Sequence, residues 1–179
     1  TSQPHVTYTD IDVPGRGIAL RHTWLGSNAD ILVYMDADLA TSLESIIPLL
    51  DLLSNNADVV IGSRYVPGAR VRRTFNRLLL SKVYNLLLRF VLRLDIKDSQ
   101  CGFKGIKREA AQHVIPHVKD QWWFFDTELL YVAKNMGYKI VEIPVEWYEQ
   151  KETSVQLFTV SADYIKNIIR LYFSKKAYF

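Results

Sequence analysis

The sequence predicts a single α/β domain, and three observations carry that reading. Apolar segments of strand length alternate with helix-length amphipathic ones, the pattern of a sheet whose strands are joined by crossover helices. Ile31 to Met35 is an unbroken apolar run of strand length, as expected of a strand covered on both faces. The length of 179 residues, with 49% hydrophobic and 23% charged residues, suits one domain with a full core and leaves little room for two.

Taken in order, the first strand candidate is His5 to Thr9. Pro14 and Gly15 punctuate, and Gly17 to Ser27 then carries Ile18, Leu20, Arg21, Trp24 and Leu25 at helical spacing. The run Ile31–Met35 stops abruptly at Asp36-Ala37-Asp38. Ser42 caps a helix predicted to run to about Leu53, with Glu44 in its first turn, and Asp58 to Gly62 supplies the next buried strand. Thr74 to Leu94 is helical and unusually apolar, with Arg77, Ser81, Asn85, Arg89 and Arg93 forming one narrow polar stripe. Gly102 to Lys107 and Trp122 to Phe125 read as short strands, each followed by a helix, of which Thr127 to Asn135 is the clearer. Lys139 to Trp147 alternates like a strand, and Ser161 to Ser174 is a basic amphipathic helix with Tyr164, Ile165, Ile168, Ile169 and Tyr172 on one side.

Charge and composition narrow the partners. The excess of 22 Lys and Arg over 19 Asp and Glu gives +3, too small to imply nucleic acid as a partner. The distribution says more: Arg64, Arg70, Arg72, Arg73 and Arg77 crowd one stretch just after Asp36 and Asp38, so an anionic ligand and a cation could both be served. Cys101 is the single cysteine and excludes an internal disulfide; its type reads as a small buried residue. His5, His22, His113 and His117 show no metal-ligand spacing. No run of roughly 18 uncharged apolar residues and no signal peptide is evident, which predicts a soluble or peripheral chain. Trp122 and Trp123 are candidates for stacking on a sugar, for a membrane face or for plain burial, and the tail with Lys166, Arg170, Lys175 and Lys176 for contact with anionic lipid or for packing.

Two carboxylates one residue apart, just beyond a buried strand, stand at the sheet edge where α/β folds bind ligands, and both can address one hard cation. Carboxylate oxygens suit Mg²⁺ or Mn²⁺, which keep waters and bridge to substrate phosphates. An Asp-x-Asp pair alone is weak, because a strand-end turn with two solvated carboxylates looks the same.

Five segments in order make it specific. Gly15-Arg16-Gly17-Ile18-Ala19-Leu20-Arg21 resembles the Gly-Lys-Gly-x-Ala-x-Arg stretch of family 2 glycosyltransferases, and Val33 to Thr41 resembles their metal-binding DXD segment. Ile61-Gly62-Ser63-Arg64-Tyr65, Asp98-Ser99-Gln100-Cys101-Gly102-Phe103-Lys104 and Phe125-Asp126-Thr127-Glu128-Leu129 resemble three later segments of that family. The long apolar, Arg-studded helix after Gly-Ser-Arg is similar to that of the dolichyl or polyprenyl phosphate hexose synthases within it. Three departures stand against the pattern: the opening nucleotide-binding strands have no match and should lie before Thr1, Ala40 stands where many mannosyl members carry Gln, and Glu152 to Gln156 lacks the basic residue of a Gly-x-Ser-Lys/Arg segment.

The resemblance implies a GT-A fold, a mixed sheet flanked by helices, in one catalytic domain over residues 1–179 that lacks its first strands. Helix 74–94 should face a membrane, and helix 161–174 should form an amphipathic end. It implies inverting transfer of a hexose, mannose or glucose, from a GDP- or UDP-hexose to a polyprenyl phosphate at the cytoplasmic face of a membrane. Mg²⁺ or Mn²⁺ would be held by Asp36 and Asp38. Gly17 and Arg21, with the two aspartates, would meet the donor diphosphate; Arg64, Arg72, Arg73 and Arg77 would clamp the acceptor phosphate. Asp98, Gly102 and Phe103 would shape the acceptor loop, and Asp38, Asp126 and Glu128 make up the catalytic group. A phosphate acceptor is already ionised, so Asp126 and Glu128 would position rather than deprotonate. Two rivals remain: a saccharide hydroxyl as acceptor, which makes one of them a base, and a non-catalytic peripheral-membrane fragment.

Overall fold

The computed structural model describes residues 6–72, 75–148 and 157–174. His5, Arg73, Thr74, residues 152–156, Lys175, Lys176 and the side chain of Arg77 lie outside the described residues.

The chain runs α1 (Arg16–Leu25), β1 (Ile31–Met35), a 3-10 turn at Leu43–Ser45 leading into α2 (Ile46–Asn55), β2 (Val59–Ser63), β3 (Arg70–Arg72) and α3 (Phe75–Val91). It continues through β4 (Phe103–Lys107), α4 (Arg108–Val114), a 3-10 turn at Ile115–His117, α5 (Phe125–Asn135), β5 (Ile140–Pro144), β6 (Glu146–Tyr148) and α6 (Leu157–Phe173). Four strands form a mixed sheet in the order β1-β4-β2-β5, with β4 antiparallel to both neighbours and β2 parallel to β5. β3 and β6 pair in parallel as a second, two-stranded sheet.

Period-two alternation assigns each strand residue to one of two cores. Leu32, Val59, Ile61 and Ile106 pack toward α3, α4, α5 and α6, while Val60 and Phe103 pack with Leu49 and Leu53 of α2 on the other side. The sheet is therefore sandwiched between helical layers, and all five residues of β2 are buried. The cap expected at Ser42 is present, its hydroxyl accepting from Glu44 N at 3.4 Å.

Three sequence expectations change. Residues 6–9 form no strand; Val6 and Tyr8 are 73% and 85% exposed, so the segment has no sheet neighbour to bury against. Trp122 to Phe125 is a turn running into a helix: Trp122 N donates to Asp120 Oδ1 at 2.8 Å, bending the chain, and Phe124 caps α5. A short apolar run cannot by itself separate a buried strand from a helix start. Lys139 to Trp147 breaks into β5 and β6 at Val145, whose carbonyl accepts from Arg70 N at 3.0 Å and so passes the chain to the second sheet.

The polar stripe of α3 also turns out differently. Asn85 is buried at 4% exposure and its Oδ1 accepts from Ser99 N and Oγ at 3.1 and 2.9 Å, tying α3 to the 98–101 loop. Leu88 and Leu92 pack inward beside it, whereas Leu79, Leu80, Val83, Leu86, Leu87 and Phe90 are 40–78% exposed. In α6 the apolar residues divide: Ile168 and Leu171 are buried, and Ile165, Ile169, Tyr172 and Phe173 face outward. Among the described residues no helix is long and apolar enough to cross a membrane.

Candidate active site

The site lies where β1 ends and β4 begins, and strand register builds its floor. Tyr34 of β1 stands directly opposite Lys104 of β4, on the sheet face that receives α1 and α5. Lys104 is fully buried, with Nζ 3.0 Å from Asp126 Oδ1, 3.4 Å from the Tyr34 hydroxyl and bonded to the Cys101 carbonyl. The Tyr34 hydroxyl donates to the same Asp126 oxygen. Asp126, in the first turn of α5, is 1% exposed.

Arg16, at the start of α1, closes the cluster. Its Nη1 donates to Asp126 Oδ2 at 2.9 Å and its Nη2 to Asp36 Oδ1 at 2.5 Å, while the guanidinium lies 4.4 Å from the Trp123 ring centroid. Gly17 lets α1 come this close, because a Cβ there would meet Phe125 at 2.8 Å and the Asp120 carbonyl at 2.9 Å. Gly102 has a comparable part: a Cβ on it would sit 1.7 Å from Asp36 Oδ2. Any larger residue would push the Asp36 carboxylate out of its place, which the bond from Asp36 N to the Gly102 carbonyl at 2.8 Å otherwise fixes.

Beyond Asp36 the chain turns sharply. Leu39 N donates to the Asp36 carbonyl at 3.0 Å, and Leu39 takes φ of 50°, a left-handed conformation costly for a branched side chain. The turn leaves Asp38 exposed, with Oδ1 accepting from Ala40 N at 3.1 Å, and Ala40 and Ser42 anchor its far side to β6.

The two carboxylates of the Asp-x-Asp pair fit a hard cation. They stand one residue apart just past the end of β1 and offer oxygen ligands only, although the Arg16 guanidinium already occupies one oxygen of Asp36. Among the described residues there is no set of three or more His, Cys, Asp or Glu side chains that would enclose a metal, so a cation here would complete its shell with water or substrate oxygens.

Electrostatics separate the roles of the carboxylates. Burial alone would raise the Asp126 pKa, but Lys104, Arg16 and the Tyr34 hydroxyl outweigh it and hold the carboxylate below its ordinary 3.8. Asp36 moves the other way, raised by burial and by neighbouring Asp126 and Asp38 despite Arg16. Glu128, fully buried, faces a different set of partners: Arg170 of α6 engages it with two bonds of 2.7 Å, and Asp120 N donates to it at 2.9 Å. It therefore docks α6 onto α5 rather than sharing the Asp126 cluster.

The remaining expected site residues are distributed by similar commitments. Arg64 forks onto buried Asp98 at 2.7 and 2.8 Å, with its backbone N–H on the same carboxylate at 2.9 Å and only 7% of its side chain exposed. Its guanidinium is thus spent inside the protein. Arg21 donates to the carbonyls of Ile115 and Val118, tying α1 to the segment after α4. Arg72 is exposed beside the Tyr148 ring. Phe103 is fully buried under the sheet, and burial pushes the Cys101 thiol up to about 11, keeping it protonated. Arg16, Tyr34 and Lys104 lie inside three of the family-like segments but carry no assigned role in the sequence; the available signal was Lys104 closing a segment that opens on Asp98, and Tyr34 two residues before Asp36. Trp122 and Trp123 border a cleft of about 340 Å³ shared with Asp120, Tyr164 and Lys166.

Residues 2–115 match the sequence profile of glycosyl transferase family 2, and the chain belongs to that family. Among its relatives are the glycosyltransferase AglD of Haloferax volcanii, 39% identical over 151 residues, and the polyprenol monophosphomannose synthase of Mycolicibacterium smegmatis, 37% identical over 123 residues. The human dolichyl-phosphate beta-glucosyltransferase is 33% identical over 143 residues. These alignments cover 84%, 68% and 75% of this chain and 24%, 46% and 44% of the relatives, so the chain spans less than half of each. The glucosyl-3-phosphoglycerate synthase of Mycobacterium tuberculosis superposes with a TM-score of 0.65 over 94% of this chain and 57% of that one, at 18% identity. The fold is GT-A, a mixed sheet flanked by helices.

Proposed function

We propose that the protein transfers a hexose, glucose or mannose, from a nucleotide diphosphate sugar to a polyprenyl phosphate. The observation that carries this reading is the state of Asp126, fixed as an anion between Lys104 and Arg16. A carboxylate so held is a poor proton acceptor, and Glu128 is engaged by Arg170, which favours an acceptor that arrives ionised. A phosphate meets that condition and a sugar hydroxyl does not. The names of the relatives support the acceptor class, and the solved synthase was captured with Mn²⁺ and UDP.

Asp36 and Asp38 would hold Mg²⁺ or Mn²⁺, which when bound offsets charge on the departing diphosphate. Gly17 and Gly102 keep the Arg16 and Asp36 side chains at the site. Arg72, with Arg73 and Arg77, is the candidate clamp for the acceptor phosphate; Arg64 instead holds the loop around Asp98 through a buried ion pair. Incubating the intact protein with UDP- or GDP-hexose and polyprenyl phosphate should give a lipid-phosphate sugar. The rate should follow ionisation of the phosphate, near pH 6, with no further rise toward alkaline pH. Transfer only to saccharide hydroxyls, or a rate that climbs with a basic side chain, would overturn the reading.

The lipid acceptor implies a membrane, and α3 offers the surface to meet it, at a cytoplasmic face. Leu79, Leu80, Val83, Leu86, Leu87 and Phe90 expose an apolar band beside Lys82, Arg89 and Arg93, although Arg89 is partly offset by Asp95 at 2.9 Å. Apolar insertion and roughly 1 kcal/mol per basic residue near anionic lipid would act together. Leu79→Asp with Leu86→Asp should fold normally, both positions being half exposed, and should lose flotation with anionic vesicles. A variant that folds and still floats would place attachment elsewhere.

A further inference from the structure

Arg16 is unusual among the charged groups of the site in serving both halves of it. One arm of its guanidinium holds Asp126 at 2.9 Å and the other holds Asp36 at 2.5 Å, and Trp123 covers its face at 4.4 Å. The Asp36 backbone is held here by its bond to the Gly102 carbonyl at 2.8 Å, and the absent side chain of Gly102 leaves the room its carboxylate occupies. Asp36 and Asp126 are matched in charge by Arg16 and Lys104, and Asp38 adds one negative charge beside Asp36. A divalent cation on Asp36 would therefore approach a carboxylate whose oxygen already carries a positive partner.

We infer that Arg16 is an internal counter-cation for Asp36, so that metal binding is an exchange in which the Nη2 arm leaves Asp36 as the cation arrives. This rests on the reading of Asp36 and Asp38 as the cation ligands. No covalent bond is made or broken in the exchange. One guanidinium–carboxylate contact is replaced by a metal–carboxylate contact, while the Nη1 arm stays on Asp126. The displaced arm needs a new anion, and a donor diphosphate entering with the metal supplies one. Two consequences follow from linkage. The metal alone binds more weakly than an unopposed aspartate pair would allow, and nucleotide and metal reinforce each other through Arg16 as well as through direct contact. The exchange makes Arg16 a positioning residue that keeps the Asp36 carboxylate neutralised until the charged donor arrives.

Titration of Mn²⁺ into the intact protein, followed by the EPR signal of the free ion and without nucleotide, reads this directly. Arg16→Gln should bind Mn²⁺ about tenfold more tightly than the wild type, which corresponds to about 1.4 kcal/mol. Arg16→Lys should fall between, since an ammonium lacks the fork that spans both carboxylates. UDP should tighten Mn²⁺ binding by a smaller factor in Arg16→Gln than in the wild type. Should Arg16→Gln fail to fold, Trp123→Ala removes one anchor of the guanidinium and should tighten Mn²⁺ binding about two- to fivefold. Unchanged or weaker binding in these variants, with binding abolished by Asp36→Asn, would overturn the exchange and leave the metal site standing. No binding in any of them, with no effect of Asp36→Asn, would remove the metal site and the exchange together.

Discussion

Asp38→Ala is expected to lower sugar transfer by about 10³-fold or more while leaving the fold intact. The side chain is exposed at the far end of the turn that follows β1, and its one described bond is to Ala40 N at 3.1 Å. Losing that bond costs about 1 kcal/mol, a shift of roughly 2–4 °C in Tm for a domain of this size. The catalytic loss is larger because a cation polarising the leaving diphosphate is worth several kcal/mol, and 10³-fold is about 4 kcal/mol. Transfer assayed with Mn²⁺ across a range of concentrations tests both halves of the expectation. A rate near that of the wild type would mean that Asp38 does not hold the cation.

The placement of Asp36 and Asp38 was legible because it is local: two carboxylates in three residues, immediately past an apolar run whose ends match β1 residue for residue. β2 and β4 were legible to within one residue for the same reason, each being a short run that the sheet buries. The Asp126 cluster was not. Arg16 and Asp126 are 110 residues apart, and no periodicity in one sequence shows that α1 and α5 will converge over the Tyr34 and Lys104 pair. Arg64 illustrates the complementary failure. A basic residue after a strand reads equally well as a phosphate ligand or as half of a buried pair, and only the fork onto Asp98, 34 residues on, decides between them. Asn85 misleads in a third way: a polar residue at helical spacing suggests a solvated stripe, yet it faces inward to satisfy the Ser99 loop.

Asp126→Asn should be the most destabilising single exchange in the site, and its main effect should appear in stability before catalysis. The substitution keeps the shape of the side chain and removes its charge, leaving the fully buried Lys104 ammonium with neutral acceptors only: the new amide oxygen, the Cys101 carbonyl and the Tyr34 hydroxyl. Breaking one partner of a buried ion pair costs about 3–5 kcal/mol, so Tm should fall by roughly 6–20 °C. Lys104→Met combined with Asp126→Asn should recover much of that loss, because the penalty lies in the orphaned charge rather than in the missing bond. Acid provides an independent check. The folded-state pKa of Asp126 lies below 3.8, so its stabilisation is complete above that pH and fades as pH falls through the lower folded value. The stability gap between wild type and Asp126→Asn should accordingly be constant near neutrality and narrow in acid. Assayed well below its Tm, the variant should lose less activity than Asp38→Ala and show no alkaline shift of its pH profile, since the carboxylate is not a base. A wild-type Tm for Asp126→Asn would mean that the Lys104 pair contributes nothing to the fold, and a 10³-fold loss with an alkaline shift would return Asp126 to the role of base for a hydroxyl acceptor.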